Sequence, residues 1–124
     1  MNNKLEFATR MQARTKTFAV QVVEFFVKLP KTDEARVLGR QLLRAGTSVA
    51  ANYRAVCRSK SDADFIYKPG TVVEETDESL LWLELLEEAA ICPAAHVSPL
   101  KKEADELVRI LQTSLNTAKR NAGR

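Results

Sequence analysis

Arginines at helical spacing are the residues of this chain whose chemistry is easiest to state. Steps of four residues, which keep side chains on one side of a helix, connect most of one set: Arg36, Arg40, Arg44, Arg54 and Arg58. A guanidinium group contacts phosphate oxygens in bidentate geometry. The row therefore predicts a surface that binds the phosphate backbone of RNA or DNA by shape and charge rather than by base sequence. Two arginines nearer the start of the chain, Arg10 and Arg14, are predicted to extend this surface.

A second interpretation of the same arginines stays open. They can pair with carboxylates of another helix or form an ordinary solvated face. Base stacking adds little support for nucleic-acid binding, because Tyr53 is the one aromatic candidate beside the row. Residues 1–60 contain twelve Lys and Arg against four Asp and Glu, whereas residues 61–124 contain seven against twelve. The basic half thus meets either a polyanion or the acidic half of this or a neighbouring subunit, as in a protein-interaction scaffold without nucleic-acid affinity.

A small polar cluster is predicted inside the second helix. Ser48 and Asn52 lie one helical turn apart among glycine and alanine residues, so a neighbouring helix can approach closely. Glu78 on the third helix is a candidate partner for the Asn52 amide, giving a buried polar link that fixes the register between helices. A catalytic role for Ser48 lacks a base, since His96 lies in a segment between two prolines. We therefore predict no catalytic residue and no enzyme activity.

Metal ligands and cofactor motifs are also not predicted. Cys57, Cys92 and His96 match no structural zinc spacing, and Cys57 is expected to be a small buried residue. The carboxylates of the third helix resemble those of di-iron bundles, but such sites need two Glu-x-x-His pairs and the chain has one histidine. We expect no metal, no cofactor and no small-molecule substrate.

Composition indicates one globular domain. The chain has 124 residues, of which 45% are hydrophobic and 28% charged. Two cysteines are too few for a disulfide scaffold, and the sequence opens with no secretory leader. No uncharged apolar run approaches the ~20 residues needed to cross a bilayer. These features predict a cytoplasmic protein that does not enter the membrane.

Apolar periodicity and proline positions predict four helices, at about residues 6–28, 34–58, 62–90 and 99–119. Pro30 ends the first helix, and Thr32 or Asp33 is expected to cap the second. The second helix carries its apolar side chains at Val37, Leu38, Leu42 and later positions. Short connections between such helices predict an all-α fold, an antiparallel up-down four-helix bundle in a single domain spanning residues 1–124.

Local sequence signals predict where the last two helices begin and where the third is interrupted. Ser61 and Asp64 resemble a capping box before the third helix, with aspartate in place of the usual glutamate. Pro69-Gly70 conflicts with the interior of that helix, and we expect one helix with a kink at this point, because its apolar seam keeps its phase across the break. Ser98 followed by Pro99 is expected to start the fourth helix.

Two segments are too apolar for a solitary bundle. Residues 18–27 and 80–86 are apolar nearly all the way round a helix. Monomeric proteins rarely expose large contiguous apolar patches, so we expect these faces to contact other copies of the chain. The predicted interface residues are Phe26, Leu81, Trp82 and Leu85. The alternative is that Trp82 and Leu85 lie beneath the first connection or the fourth helix.

Three segments carry a resemblance to a known family: residues 41–54 (QLLRAGTSVAANYR), 61–68 (SDADFIYK) and 78–86 (ESLLWLELL). In order and spacing they resemble the bacterial four-helix-bundle proteins encoded in intervening sequences of 23S ribosomal RNA. That family includes accessory proteins of diversity-generating retroelements. The resemblance covers about residues 7–118.

The resemblance implies an up-down four-helix bundle that assembles into a homopentamer and has no known enzymatic activity. It also implies a suspected role in binding nucleic acid through a basic surface. The chain departs from the family at Pro69-Gly70, where relatives usually keep a helix former. Residues 61–90 contain nine Asp and Glu against Lys68, so the third helix would repel phosphate and only one face is expected to bind it.

Overall fold

Four long helices form the fold in the computed structural model, which describes residues 3–58 and 62–123, with side chains for residues 4–58, 69–121 and 123. The helices are α1 (Asn3–Val27), α2 (Asp33–Cys57), α3 (Asp62–Glu88) and α4 (Ala94–Ala122). Consecutive helices pack against each other along the bundle, and α1 meets α4 over a shorter stretch. The predicted all-α, antiparallel four-helix bundle is confirmed.

The turn between α1 and α2 follows the sequence signals. The amide groups of Lys28 and Leu29 donate to carbonyls three residues back, at 3.2 Å each, which tightens the last turn of α1 before Pro30. Thr32 caps α2, because its Oγ1 accepts the Ala35 amide at 3.3 Å. The first of the two predicted caps is thus confirmed, and α2 begins one residue earlier than predicted.

The third helix is continuous through Pro69. One helix on both sides of the proline is therefore confirmed, while the expected kink stays a prediction. The helix ends at Glu88, and Ala90, two residues later, has a left-handed φ of 56°. The amides of Ile91 and Cys92 donate to the Leu86 carbonyl at 3.0 and 3.2 Å. The predicted Ser61–Asp64 capping box lies outside the described residues.

The predicted start of the fourth helix at Pro99 is wrong, since α4 already begins at Ala94, after an N-cap at Pro93. Val97 is fully buried and extends the apolar seam of Leu100 and Ala104 by one step toward the N-terminus. Pro99 removes only the hydrogen bond to the Ala95 carbonyl. Ala95 is exposed within the first turn, where solvent can take the place of that donor.

The core runs along the bundle axis and includes side chains that are fully buried in every helix: Phe18, Val22, Leu42, Val49, Leu83, Leu86 and Leu107. Two glycines bring α2 close to α1. A Cβ at Gly46 would lie 2.8 Å from Val22 Cγ2, and a Cβ at Gly39 would lie 2.5 Å from Leu29 Cδ1. These contacts fix the face of α2 that points inward, and thereby its outer face.

Candidate nucleic-acid interface

Four of the predicted arginines lie exposed along the outer face of α2 and at its C-cap: Arg36, Arg40 and Arg54 in the helix, and Arg58 directly after it. We refer to these four as the α2 arginine row. Among the residues that the structure describes, none of them has a carboxylate within ion-pair distance. At 1.5 Å per residue, the row extends for about 33 Å, close to one turn of duplex DNA. Within the described residues, no carboxylate competes with an external anion for these four guanidinium groups.

Arg44 does not belong to the row, because it is paired with two carboxylates of α3. Its Nη1 lies 3.2 Å from Glu75 Oε2, and its Nη2 lies 3.2 Å from Glu78 Oε1. Burial raises the pKa of Glu75 and the nearby Glu78 charge adds to this, while Arg44 opposes both. At this position the structure supports the second interpretation of the sequence, an arginine satisfied by the third helix.

Arg14 is likewise engaged inside the chain, where it joins α1 to α4. Its Nη2 lies 2.7 Å from Glu103 Oε1, its Nε donates to Glu103 Oε2 at 2.8 Å, and Glu106 lies 3.1 Å away. The hydrogen bonds that Arg14 donates to Glu103 raise the pKa of Arg14, against the opposing effect of burial. Arg10 is exposed one turn earlier, on the same side of α1 as Arg14. The predicted extension of the basic surface by Arg10 and Arg14 is therefore directed toward α4 rather than toward the α2 arginine row.

The aromatic residue predicted to lie beside the row is not available for stacking. Tyr53 is 7% exposed and packs in the core, and burial raises its pKa above the ordinary value. A cleft of about 300 Å³ lies beside Arg36 and Arg40, at the turn between α1 and α2. Lys31 lines it together with apolar side chains, which adds a third cation at this end of the row. Sequence reasoning missed Lys31, although its position directly after Pro30 placed it in the turn.

The predicted polar link between α2 and α3 takes a different form. Ser48 and Asn52 are half-buried rather than buried, and Glu78 accepts a hydrogen bond from Arg44. The antiparallel register explains the difference: Arg44 lies opposite Glu75 and Glu78, so Asn52, two turns further along α2, lies opposite residues earlier in α3. The polar contact that links α2 to α3 at this level is thus the ion pair of Arg44 with Glu75 and Glu78.

Reactive groups are few in the described part of the chain. Residues 4–58, 69–121 and 123 contain no cluster of three His, Cys, Asp or Glu side chains able to hold a metal ion. Burial raises the pKa of both Cys57 and Cys92, which makes these thiols less reactive. Within residues 3–58 and 62–123, no helix has the length and apolar content that a bilayer crossing requires.

The predicted interface residues divide into two groups. Leu81 and Leu85 are exposed, by 45% and 37%. Phe26 and Trp82 are half-buried and pack against the core, and the buried Trp82 Nε1 has no hydrogen-bond partner among the described residues. The Phe26 ring packs against Gly39, where a Cβ would approach it to 3.1 Å. The exposed apolar side chains of that part of α1 are instead Val20, Val23 and Val27.

Two comparisons place this geometry among known proteins. The family model described as 23S rRNA-intervening sequence protein matches residues 9–113. A crystal structure of a protein of unknown function from the S23 ribosomal protein family, from Bacteroides thetaiotaomicron VPI-5482, superposes with a TM-score of 0.78. That structure is 28% identical, and the similarity covers 85% of this chain and 97% of the other. No curated protein matches the chain.

Proposed function

The chain belongs to the family of 23S rRNA-intervening sequence proteins, and we propose that it binds the phosphate backbone of RNA or DNA through the outer face of α2. The observation that carries this proposal is the α2 arginine row. Its four exposed guanidinium groups have no carboxylate within ion-pair distance among the described residues. The role is one of binding rather than catalysis, in the cytoplasm, with neither a cofactor nor a small-molecule substrate.

Electrostatics favours binding on this face alone. Two carboxylates of α3, Glu75 and Glu78, are paired with Arg44 of α2, which offsets part of the negative charge of α3 beside the row. Phosphate approaching the outer face of α2 therefore meets cations first. Approach from the outer face of α3 meets the exposed Glu74 and Asp77 instead.

The arrangement predicts little preference for base sequence. Arginine side chains on one straight helix face can follow a phosphate backbone, and the row carries no exposed aromatic residue on which bases could stack. If all four arginines contact duplex phosphates, the logarithm of the affinity falls with the logarithm of salt concentration at a slope of about −3.6 per protomer.

Fluorescence anisotropy of labelled structured RNA, duplex DNA and a polyanion control tests this function at low and at physiological salt. We expect salt-sensitive binding that Arg36→Glu plus Arg40→Glu abolishes. The matched control is Lys102→Glu plus Arg120→Glu, which changes net charge equally on exposed positions of α4, the helix diagonal to α2. Equal loss in both double variants would show that net charge, and not the row, governs binding.

The alternative function is a protein-interaction scaffold whose basic faces pair with acidic faces of other subunits. The ion pairs of Arg14 and Arg44 within the chain favour it, because they show that this bundle satisfies arginines with carboxylates where the two meet. Absence of binding to any of the three polyanions at low salt would contradict the nucleic-acid proposal and support the scaffold.

A further inference from the structure

Three cations line the cleft at the turn between α1 and α2, which we name the turn cleft: Lys31, Arg36 and Arg40. Among the described residues, none of the three has a carboxylate within ion-pair distance. Lys31 Nζ donates to the Val27 carbonyl at 3.5 Å, a long bond on the surface of the turn. Arg36 and Arg40 also belong to the α2 arginine row, so the turn cleft is continuous with one end of that row.

Carboxylates lie near the turn cleft but do not line it. Glu24 and Glu34 each lie two residues before a lining residue, Phe26 and Arg36, which places them on the other side of their helices. Asp33 lies three residues before Arg36 and therefore on the same side of α2. An anion in the cleft thus contacts cations, and Asp33 is the carboxylate that opposes it most directly.

The remaining side chains that line the turn cleft are apolar. Leu29 and Ala35 are buried beneath it, whereas Phe26 is half-buried and Pro30 is exposed. The volume of about 300 Å³ lies at the small end of the ~300–1,000 Å³ typical of ligand sites, so one planar ring system fills it. Aromatic side chains stack on unpaired bases. The cleft therefore offers contacts for both parts of a nucleotide, the anionic phosphate and the planar base.

The position of the turn cleft favours the end of a strand. The chain reverses direction at Pro30, so a nucleic-acid backbone that follows the α2 arginine row past Arg40 and Arg36 reaches the end of the bundle at the cleft. A terminal phosphate carries a charge of about −1.5 to −2 at neutral pH, whereas a phosphate within a strand carries about −1. A group of three cations matches the terminal phosphate better.

We propose that the turn cleft holds the unpaired nucleotide at a phosphorylated strand end, with its base against Phe26 and its terminal phosphate on Lys31, Arg36 and Arg40. This inference rests on the proposed function, because the rest of the strand lies along the α2 arginine row. The cleft recognises a strand end rather than a base sequence, since every base has a face that can stack.

Fluorescence anisotropy of labelled DNA duplexes at low salt tests this inference. The first duplex has a one-nucleotide overhang with a terminal phosphate, the second has an abasic nucleotide in that overhang, and the third lacks the terminal phosphate. Overhangs at the 5′ end and at the 3′ end are both prepared, because the cations suit either terminal phosphate. For at least one of these ends, we expect the first duplex to bind about tenfold more tightly than the second, within the range that one stacked base supplies. It is also expected to bind more tightly than the third.

Variants of the turn cleft separate its ring from its cation, with folding checked by circular dichroism. Phe26→Leu keeps an apolar side chain and is expected to reduce the preference for the intact over the abasic overhang to less than about twofold. Lys31→Gln removes the cation outside the α2 arginine row and is expected to lower the preference for the terminal phosphate about threefold. Lys28→Gln is the matched control, because Lys28 is exposed at the same end of the bundle and does not line the cleft. Asp33→Asn is expected to strengthen binding of the phosphorylated end.

Equal binding of the intact and abasic overhangs by the unmodified protein would overturn the nucleotide site and leave binding by the row in place. Absence of binding to all the duplexes would overturn the row and the site together. An equal loss in Lys28→Gln and Lys31→Gln would assign the effect to net charge and overturn the site. Displacement of the first duplex by a short acidic peptide ending in phenylalanine, as effective as displacement by the unlabelled duplex, would assign the cleft to a protein partner instead.

Discussion

Arg14 of α1 forms a bidentate ion pair with Glu103 of α4, with Nη2 at 2.7 Å from Oε1 and Nε at 2.8 Å from Oε2. Both side chains are about one-third exposed or less, at 31% and 25%. Since α1 and α4 otherwise meet over a short stretch, this ion pair helps to hold α1 against α4. The ion pair also engages an arginine that the sequence alone predicts to bind phosphate.

Replacement of Arg14 is expected to weaken the packing of α1 on α4 and to lower the stability of the bundle. Arg14→Ala leaves Glu103 without its charged donor, and we expect a loss of about 1–2 kcal/mol in the free energy of unfolding, measured by urea denaturation. Arg109→Ala is the control, since Arg109 pairs with Asp105 one turn away on the solvent side of α4. Its expected cost is below about 0.5 kcal/mol. Equal costs for the two variants would contradict the role of Arg14.

Glu75 is expected to make stability depend on pH in the direction opposite to that of most paired carboxylates. Burial raises its pKa above the ordinary 4.5, so the folded state binds the proton more tightly than the unfolded state. Stability contributed by this group is therefore greatest below the unfolded pKa and falls as pH rises through the folded pKa.

Glu75→Gln removes that penalty while keeping an oxygen that can accept from Arg44. We expect the variant to be at least as stable as the unmodified protein at neutral pH, with the difference vanishing as pH falls below the ordinary carboxyl value. Thermal unfolding across this pH range measures both curves. A variant that is less stable at neutral pH would show that the charge interaction with Arg44 outweighs burial.

The two glycines Gly46 and Gly70 are expected to respond oppositely to alanine. A Cβ at Gly46 collides with Val22, so Gly46→Ala should cost about 1–3 kcal/mol by forcing α1 and α2 apart. No atom of the described side chains lies within 4 Å of a Cβ at Gly70, so Gly70→Ala should stabilise α3 by about 0.5–1 kcal/mol. Denaturant unfolding measures both, and Val22→Ala should partly rescue Gly46→Ala. A stabilising Gly46→Ala would contradict the close packing of α1 on α2.

The helices could be predicted from the sequence because the signals that set them are local. Apolar spacing, Thr32 and Pro30 each act within a turn or two of the chain, and the first three helices begin and end within three residues of the prediction. The start of α4 could not be predicted in this way, because Ser98 and Pro99 are a local start signal that lies after the observed start at Ala94. The burial of Val97 depends on its contact with the rest of the bundle, which local signals do not contain.

The partners of individual side chains could not be predicted, because they depend on which helices are neighbours and on their register. Arg14 and Arg44 have the same residue type as Arg36, yet among the described residues only the first two meet carboxylates. Val37 was expected among the apolar positions of the second helix, whereas it is 62% exposed. Phe26 and Val27 are adjacent and both apolar, but Phe26 packs against Gly39 of α2, whereas Val27 is 63% exposed.

The salt dependence of duplex binding tests the central claim, that the α2 arginine row contacts phosphates, most directly. The measurement compares the unmodified protein with Arg36→Gln plus Arg40→Gln, which removes two cations without introducing carboxylates. We predict that the double variant binds more weakly and that its slope in a plot of log affinity against log salt is shallower by about 1.8 for each protomer in contact. An unchanged slope in a folded double variant would contradict the claim.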